Sequence, residues 1–333
     1  MTDQFYRAYV VDETQDNTYK TNIKENSIND LPEGDVLVKV HYSSLNYKDA
    51  LSATGNKGVT RQFPHTPGID SAGIIVESSD GRFTAGQEVI VHGYDLGCNT
   101  WGGYGEYIRV PADWVVTLPE GLSLRESMIY GTAGYTAAYS VQRLEEFGVT
   151  TEKGEVLVTG ATGGVGSVAV GILAKIGYEV VASTGKTDQA QFLLDLGAKE
   201  VISREDSQDQ SGRPLLKGRW AGAVDTVGGE ILATAIKSTI PRGVVTCCGN
   251  VASAELPINV YPFILRGVSL VGIDSQDSPM SQRQKIWNKI ATEWKLDHLE
   301  QLTTEITVQE LDRNIELILQ GKQKGRILVN ILK

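Results

Sequence analysis

Two rhythms of apolar and polar residues divide this chain. As far as about Gly121, apolar residues come in short runs with partial alternation. Residues 35–40 (Asp-Val-Leu-Val-Lys-Val), 68–76, 87–92, 104–110 and 114–118 read as strands, with Ser79-Asp80-Gly81 and Thr84-Ala85-Gly86 as turns. Many short strands with glycine turns predict a partly open, β-rich barrel. A small-residue stretch comes after a helix start at 123–127. It runs Gly131-Thr132-Ala133-Gly134-Tyr135-Thr136-Ala137-Ala138-Tyr139 and predicts a closely packed helix joining two domains. From Val156 on, continuous apolar runs alternate with helical periodicity. Strands are predicted at 156–159, 179–182, 200–203, 223–225, 244–248 and 270–273. Helices are predicted after the first glycine turn, at 187–196 with Gly197 just past the end, and at 230–240, stopped by Pro241-Arg242-Gly243. Six strands alternating with helices predict a doubly wound parallel sheet covered on both faces. A polar helix at 281–294, a helix at 311–319 and a strand at 325–331 close the chain. That last strand is expected to return to the first domain.

The length, 333 residues, agrees with two domains. A net charge of -10 argues against nucleic acid as a partner, since phosphate backbones call for a basic field. No apolar run reaches the length of a membrane span, and Met-Thr-Asp-Gln-Phe-Tyr-Arg lacks the apolar core of a secretory signal. The cysteines are Cys98 and the adjacent Cys247 and Cys248, an odd set that does not suggest a disulfide framework. A cytoplasmic protein is expected.

Within the second rhythm, Val156–Val158 leads into Gly160-x-x-Gly163-x-x-Gly166 and then a helix. Glycines at this spacing let a backbone turn sharply, approach a pyrophosphate closely and pack a helix tightly on a strand. The expected ligand is a nicotinamide dinucleotide. In NAD-preferring sites a carboxylate ends the second strand and binds the ribose 2′-hydroxyl. Here Ser183-Thr184-Gly185-Lys186 stands there, so hydroxyls and an ammonium replace the carboxylate and NADPH is expected over NADH. Arg204, ending the third strand, is a second candidate for the same 2′-phosphate.

A catalytic zinc needs three protein ligands and an open position. The histidines, His41, His65, His92 and His298, form no close His/Cys spacing, and no metal is expected.

Four blocks, in order, resemble the medium-chain dehydrogenase/reductase superfamily over nearly the whole chain: Ser43-Ser44-Leu45-Asn46-Tyr47-Lys48-Asp49, Pro67-Gly68-Ile69-Asp70-Ser71-Ala72-Gly73, Gly131-Thr132-Ala133-Gly134 and the glycine stretch at 158–166. Asn46–Asp49, Ser183–Lys186, the Trp220–Gly228 run and Pro262-Phe263-Ile264-Leu265-Arg266 are similar to its zinc-independent group of quinone oxidoreductases and acrylyl-CoA reductases. The resemblance implies an α/β fold: a Rossmann doubly wound parallel sheet plus a GroES-like β-rich catalytic domain. The expected organisation is 1–125 GroES-like, 126–297 Rossmann and 298–333 returning to the first. It also implies an active-site cleft between the domains and a homodimer. Zinc-dependent relatives carry a cysteine ligand where Asn46 stands and a His-Glu pair where Ile69 and Asp70 follow Gly68. Carried over by position, NADPH contacts fall at Tyr47, Thr162, Gly163, Gly164, Val165, Thr184, Gly185, Lys186, Arg204, Asn250, Ile264 and Ser275, with Gly321 added. The group usually has arginine where Lys186 stands.

Without a metal, an isolated ketone is hard to reduce, whereas a C=C conjugated to a carbonyl spreads the incoming charge into an enolate. The expected reaction is hydride transfer to such an alkene, a short enoyl-CoA such as acrylyl-CoA by resemblance, or to a quinone. A non-catalytic nucleotide-binding protein is the alternative from another class. Tyr47 is the candidate hydrogen-bond or proton donor, since a tyrosine phenol carries its proton at neutral pH; the alternative is that it packs on the nicotinamide and water delivers the proton. Asn46 and Asp49 are read as orienting their loop. Lys57, Arg61 and Arg266 either meet an anionic substrate tail or are surface charge.

Overall fold

The computed structural model describes residues 4–333, so the first three residues of the N-terminal stretch lie outside it. The chain forms two compact units. One takes the chain up to Thr132 with Gln276–Ala291 and Leu299–Lys333; the other takes Ala133–Ser275 and Thr292–His298. In chain order the first holds β1 (Phe5–Glu13), β2 (Tyr19–Ser27), β3 (Val36–Leu45), α1 (Tyr47–Ala53), β4 (Asp70–Ser78), β5 (Glu88–His92), β6 (Tyr107–Val110) and β7 (Val115–Thr117). Helix α2 (Leu124–Glu146) carries the chain into the second unit and breaks helical geometry at Gly131, φ 52° and ψ −158°. Next are β8 (Glu155–Val158), α3 (Gly164–Lys175), β9 (Val180–Thr184), α4 (Ala190–Asp195), β10 (Glu200–Ser203), β11 (Trp220–Asp225), α5 (Gly229–Lys237), β12 (Thr239–Cys247), α6 (Tyr261–Arg266) and β13 (Ser269–Gly272). Then come α7 (Met280–Ala291), α8 (Leu299–Leu302), β14 (Thr303–Thr307), α9 (Leu311–Leu319) and β15 (Arg326–Asn330).

In the second unit six strands lie in the order β10-β9-β8-β11-β12-β13, all parallel. Val156, Leu157 and Val158 are buried in succession, as are Val180, Val181 and Ala182. Side chains on both faces of a strand are buried only when both faces of the sheet are covered. The strand order reverses between β8 and β11, and ligands of such sheets bind beyond the strand ends at that switch point.

In the first unit the path runs β14-β15-β3-β4-β5-β7. One edge of β3 is shared: Val36–Lys39 pair with β6, and Tyr42–Leu45 pair with β15. Here every second residue of a strand shares a core, while Leu37 is buried in a second cluster and β15 is buried at all its positions. Val36, Val38 and Val40, Val89 and Val91, Ile108 and Val110, and Ile327 and Val329 meet in one core. Each such side chain, fully buried, contributes about 1.5–3 kcal/mol. The expected return of the last strand is found, since β15 pairs antiparallel with β3.

The N-terminal hairpin and the segment around Pro241 differ from expectation. The hairpin β1–β2 is not foreshadowed, because β2 (Tyr-Lys-Thr-Asn-Ile-Lys-Glu-Asn-Ser) is polar and largely exposed, without a buried face to pattern it. The helix expected at 230–240 ends at Lys237, and Pro241-Arg242-Gly243 lies inside β12 rather than stopping a helix. The β11–β12 register jumps from Trp220↔Thr239 to Gly222↔Val244, so Ile240–Gly243 bulge out, with Arg242 at φ 60°. Proline is tolerated in a bulge because it need not donate to the ladder there.

Candidate cofactor and catalytic sites

The glycines after β8 do different things. Gly160 has φ +60°, a conformation that L side chains rarely adopt, and a Cβ there would collide with the Thr226 hydroxyl. A Cβ on Gly166 would overlap the Gly160 carbonyl oxygen and come within 2.7 Å of the Ala161 Cα, so α3 packs on the turn only with glycine there. Gly163 is less constrained: its Cβ would stand 3.2 Å from the Gly160 oxygen. Gly163 caps α3, and Gly164 and Val165 begin it. The first-turn N–H groups of a helix have no intrahelical acceptor, and the helix dipole favours an anion beside them. The neighbouring loop after β11 is fixed by buried Asp225, which accepts from Thr159 Oγ1 at 2.7 Å and from the Gly228 N–H at 2.8 Å.

The end of β9 meets this turn. Thr162 and Thr184 are buried, with their hydroxyls 3.1 Å apart, and Thr184 Oγ1 accepts the Lys186 N–H at 3.0 Å. The guanidinium of Arg204 lies over Gly185: a Cβ at Gly185 would be 2.5 Å from Nη2 and 2.7 Å from Cζ. Burial lowers the Lys186 pKa; Asp188 opposes this and Arg204 adds to it. Two hydroxyls and two cations thus converge where no carboxylate ends the strand, an arrangement that fits a ribose 2′-phosphate. Asn250 follows β12 and Ser275 follows β13, both past the C-terminal edge of the sheet. Ile264 is 68% exposed on α6, in a crossover rather than at a strand end.

Tyr47 and Gly321 belong to the first unit. Gly321 follows α9 at φ +66° with nothing within 4 Å of a Cβ, a helix-ending glycine. Tyr47 opens α1 and is 43% exposed. Beneath it lies a polar cluster that sequence reasoning resolved only in part. Asp49 Oδ2 accepts the Asn46 N–H at 2.8 Å, the reciprocal arm of a helix cap, and Asp49 Oδ1 accepts the Gly68 and Ile69 N–H groups at 3.2 and 2.8 Å. Asn46 and Asp49 therefore order the loop. Burial, then the charge of Asp70, push Asp49 up to about 7, against donors from Ile69 and Asn46 that hold it down. Asp70, Thr132 and Arg326 were not anticipated as partners of this loop. They are distant in sequence, and isolated buried polar groups leave no periodic signal; the presence of Asp70 and Thr132 in the blocks around Gly68 and Gly131 was the available clue, and Arg326 lay in neither.

Among the described residues no group of three or more His, Cys, Asp and Glu side chains is placed to hold a metal ion. His92 is buried, and Trp287 Nε1 donates to its Nε2 at 2.9 Å. Burial, then Arg283, hold its pKa well below the usual range, so it stays neutral. Of the cations considered for an anionic tail, Lys57 is paired with Glu13 at 2.8 Å and lies over the Phe63 ring, and Arg266 donates to the carbonyls of Lys237, Thr239 and Leu216. Arg61 is exposed.

A β-rich unit joined to a parallel sheet with a glycine cradle at its switch point defines a two-domain, dinucleotide-binding class of protein. Residues 32–120 match the family described as Alcohol dehydrogenase GroES-like domain, and residues 164–292 match Zinc-binding dehydrogenase. The chain is 49% identical, over 93% of its length and 94% of the relative's, to YhfP of Bacillus subtilis, which is named only provisionally as a quinone oxidoreductase. It is 43% identical to the acrylyl-CoA reductase AcuI of Ruegeria pomeroyi, over 98% of this chain and 99% of that one. The yhdH oxidoreductase of Salmonella enterica, solved in complex with NADP, superposes with a TM-score of 0.95 at 44% identity, covering 98% of this chain and 99% of that one. The chain belongs to the medium-chain dehydrogenase/reductase superfamily, in its zinc-independent group of quinone oxidoreductases and acrylyl-CoA reductases. None of its helices, among the described residues, is long and apolar enough to cross a membrane.

Proposed function

We propose that this chain is an NADPH-dependent reductase of carbon–carbon double bonds conjugated to a carbonyl, with short enoyl-CoA thioesters such as acrylyl-CoA as substrates. The observation that carries the cofactor is the end of β9, where Arg204 lies over Gly185 between Thr184 and Lys186 and no carboxylate ends the strand. The NADP complex of the Salmonella relative supports the same reading. Thr162, Gly163, Gly164, Val165, Asn250 and Ser275 are the proposed further contacts at this sheet edge, with Ile264 on α6 and Tyr47 and Gly321 from the first unit.

NADPH, when bound, supplies a hydride to the β-carbon of the conjugated alkene. The chain's own residues bind, orient and stabilise. The first turn of α3 takes the pyrophosphate charge, and Lys186 with Arg204 takes the 2′-phosphate. The Tyr47 hydroxyl is the proposed donor to the negative charge that grows on the carbonyl oxygen and the proposed proton source for the α-carbon. Arg61 is the proposed partner of the anionic substrate tail, because Lys57 and Arg266 are committed elsewhere. Identity to AcuI supports the thioester.

Identity to YhfP supports a second reading, reduction of a quinone. Following NADPH oxidation with acrylyl-CoA, crotonyl-CoA and a quinone panel separates the two. A thioester with the highest kcat/KM is expected; equal, slow rates on all, or a faster quinone, overturn it. NADPH binding without any oxidation selects a non-catalytic nucleotide-binding protein. A homodimer is also proposed. Tyr261, Ile264 and Leu265 form an exposed apolar face on α6, and β13 is an open sheet edge suited to a second copy. Light scattering of the purified protein tests it.

A further inference from the structure

We propose that Asp70 is a positioning residue for the reaction: from the centre of a buried network it fixes the start of α1, and so the placement of Tyr47, against the kink of α2. The proposal rests on the reading of Tyr47 as the donor.

Asp70 is fully buried, and every side of its carboxylate is occupied. Oδ1 accepts both the backbone N–H and the hydroxyl of Thr132, at 2.9 and 2.6 Å. Oδ2 accepts the Ser44 hydroxyl and Asn46 Nδ2, the latter at 2.7 Å. Its countercharge, Arg326, is 2% exposed and stands 4.0 Å away, too far for a direct hydrogen bond. Two relays join them instead. Arg326 Nη2 donates to Ser44 Oγ at 2.9 Å, and Arg326 Nη1 donates to Asn46 Oδ1 at 3.2 Å. The same guanidinium donates through Nε to the Ile129 carbonyl at 2.7 Å, in the turn of α2 before the kink. With acceptor toward Arg326 and donors toward Asp70, the Asn46 amide has one orientation that satisfies both ends.

The kink itself is part of the network. A Cβ on Gly131 would come within 2.5 Å of Asp70 Oδ2, 2.6 Å of Ser44 Oγ and 2.9 Å of Arg326 Nη2. The positive φ of Gly131 and this contact both require glycine. Asn46, the residue before Tyr47, is thus tied by its side chain to the same carboxylate that receives the backbone of Thr132. A change at Asp70 moves Tyr47 without touching it.

The test is a double-mutant cycle. Asp70→Asn keeps the shape but puts an amide among donors. Per NADPH-binding site, counted by fluorescence titration, it is expected to lower kcat about tenfold while leaving the NADPH KM within about twofold. Asp70→Asn in a Tyr47→Phe background is expected to add little, because the effect passes through Tyr47. Multiplicative losses in the double variant overturn the proposal and leave the role of Tyr47 standing. A Tyr47→Phe enzyme at full rate overturns that role, and the proposal with it. Should Asp70→Asn not accumulate as folded protein, Thr132→Val and Thr132→Ser replace it in the cycle. The valine variant is expected to lose rate and the serine variant to retain it, and equal rates in the two overturn the proposal.

Discussion

The guanidinium of Arg204 lies on the backbone of Gly185, close enough that a single added methyl would meet it 2.5 Å from Nη2. A loop after one strand thereby fixes an arginine from the end of the next strand, beside Lys186. Gly185→Ala should displace that arginine. A charge-assisted contact to a phosphate is worth about 1.5–3 kcal/mol, so the KM for NADPH should rise about tenfold or more, with NADH little affected. Steady-state kinetics with the two cofactors measure this, and Arg204→Ala should give the same pattern. A parallel loss with NADH would mean that the turn, rather than the 2′-phosphate, was disturbed.

In the proposed 2′-phosphate site Lys186 would supply a point charge where a planar fork would grip two phosphate oxygens. Lys186→Arg should tighten NADPH several-fold, and Lys186→Ala should narrow the preference for NADPH over NADH. Isothermal titration with both nucleotides reads the change. An unchanged preference in the alanine variant removes Lys186 from the 2′-phosphate site.

The glycines of the cradle should differ in tolerance. Gly166→Ala forces a Cβ into the Gly160 carbonyl and the Ala161 Cα, both of them backbone, and should cost about 1–3 kcal/mol of stability. Gly163→Ala meets the Gly160 oxygen at 3.2 Å, which a small shift relieves, so it should cost less stability than the Gly166 variant. Thermal melts of both variants without nucleotide show the ranking, and equal losses would contradict it.

Asp49 links stability to pH. Its carboxyl in the folded chain sits at about 7, above the ordinary 3.8, chiefly because it is buried. Below about pH 4 the group is protonated in both folded and unfolded chains. Between about 4 and 7 the folded chain keeps the proton that the unfolded chain has lost, so stability falls as pH rises through this window. The full span carries roughly 4 kcal/mol. Urea unfolding across pH 4–8 should show this decline, and Asp49→Asn, which cannot titrate, should flatten that part of the profile. A wild-type stability that rises steadily from pH 4 to 7 would show that the donors on Asp49 outweigh its burial.

The sequence by itself determined the two rhythms and the patterns of burial they encode. Strands such as Val156–Val158 and Val180–Ala182 are apolar at every position because both faces are covered, and Val36, Val38 and Val40 place every second residue of β3 into one core. The Gly160–Gly166 spacing and the missing carboxylate after β9 are local facts, so the glycine turn at the switch point and the cationic end of β9 could be read along the chain. Local reading failed where pairing overrides propensity. Pro241 looked like a helix stop but sits in a bulge of β12, and β2 has too little buried surface to announce itself. Only the tertiary structure decided the company of Asn46. Asp70 and Arg326 reach it from separate segments, Thr132 donates to Asp70 from a third, and a buried charge is stabilised by whichever donors the fold delivers. Periodicity records which face of an element is dry; it does not record which distant donor will satisfy a carboxylate on that face.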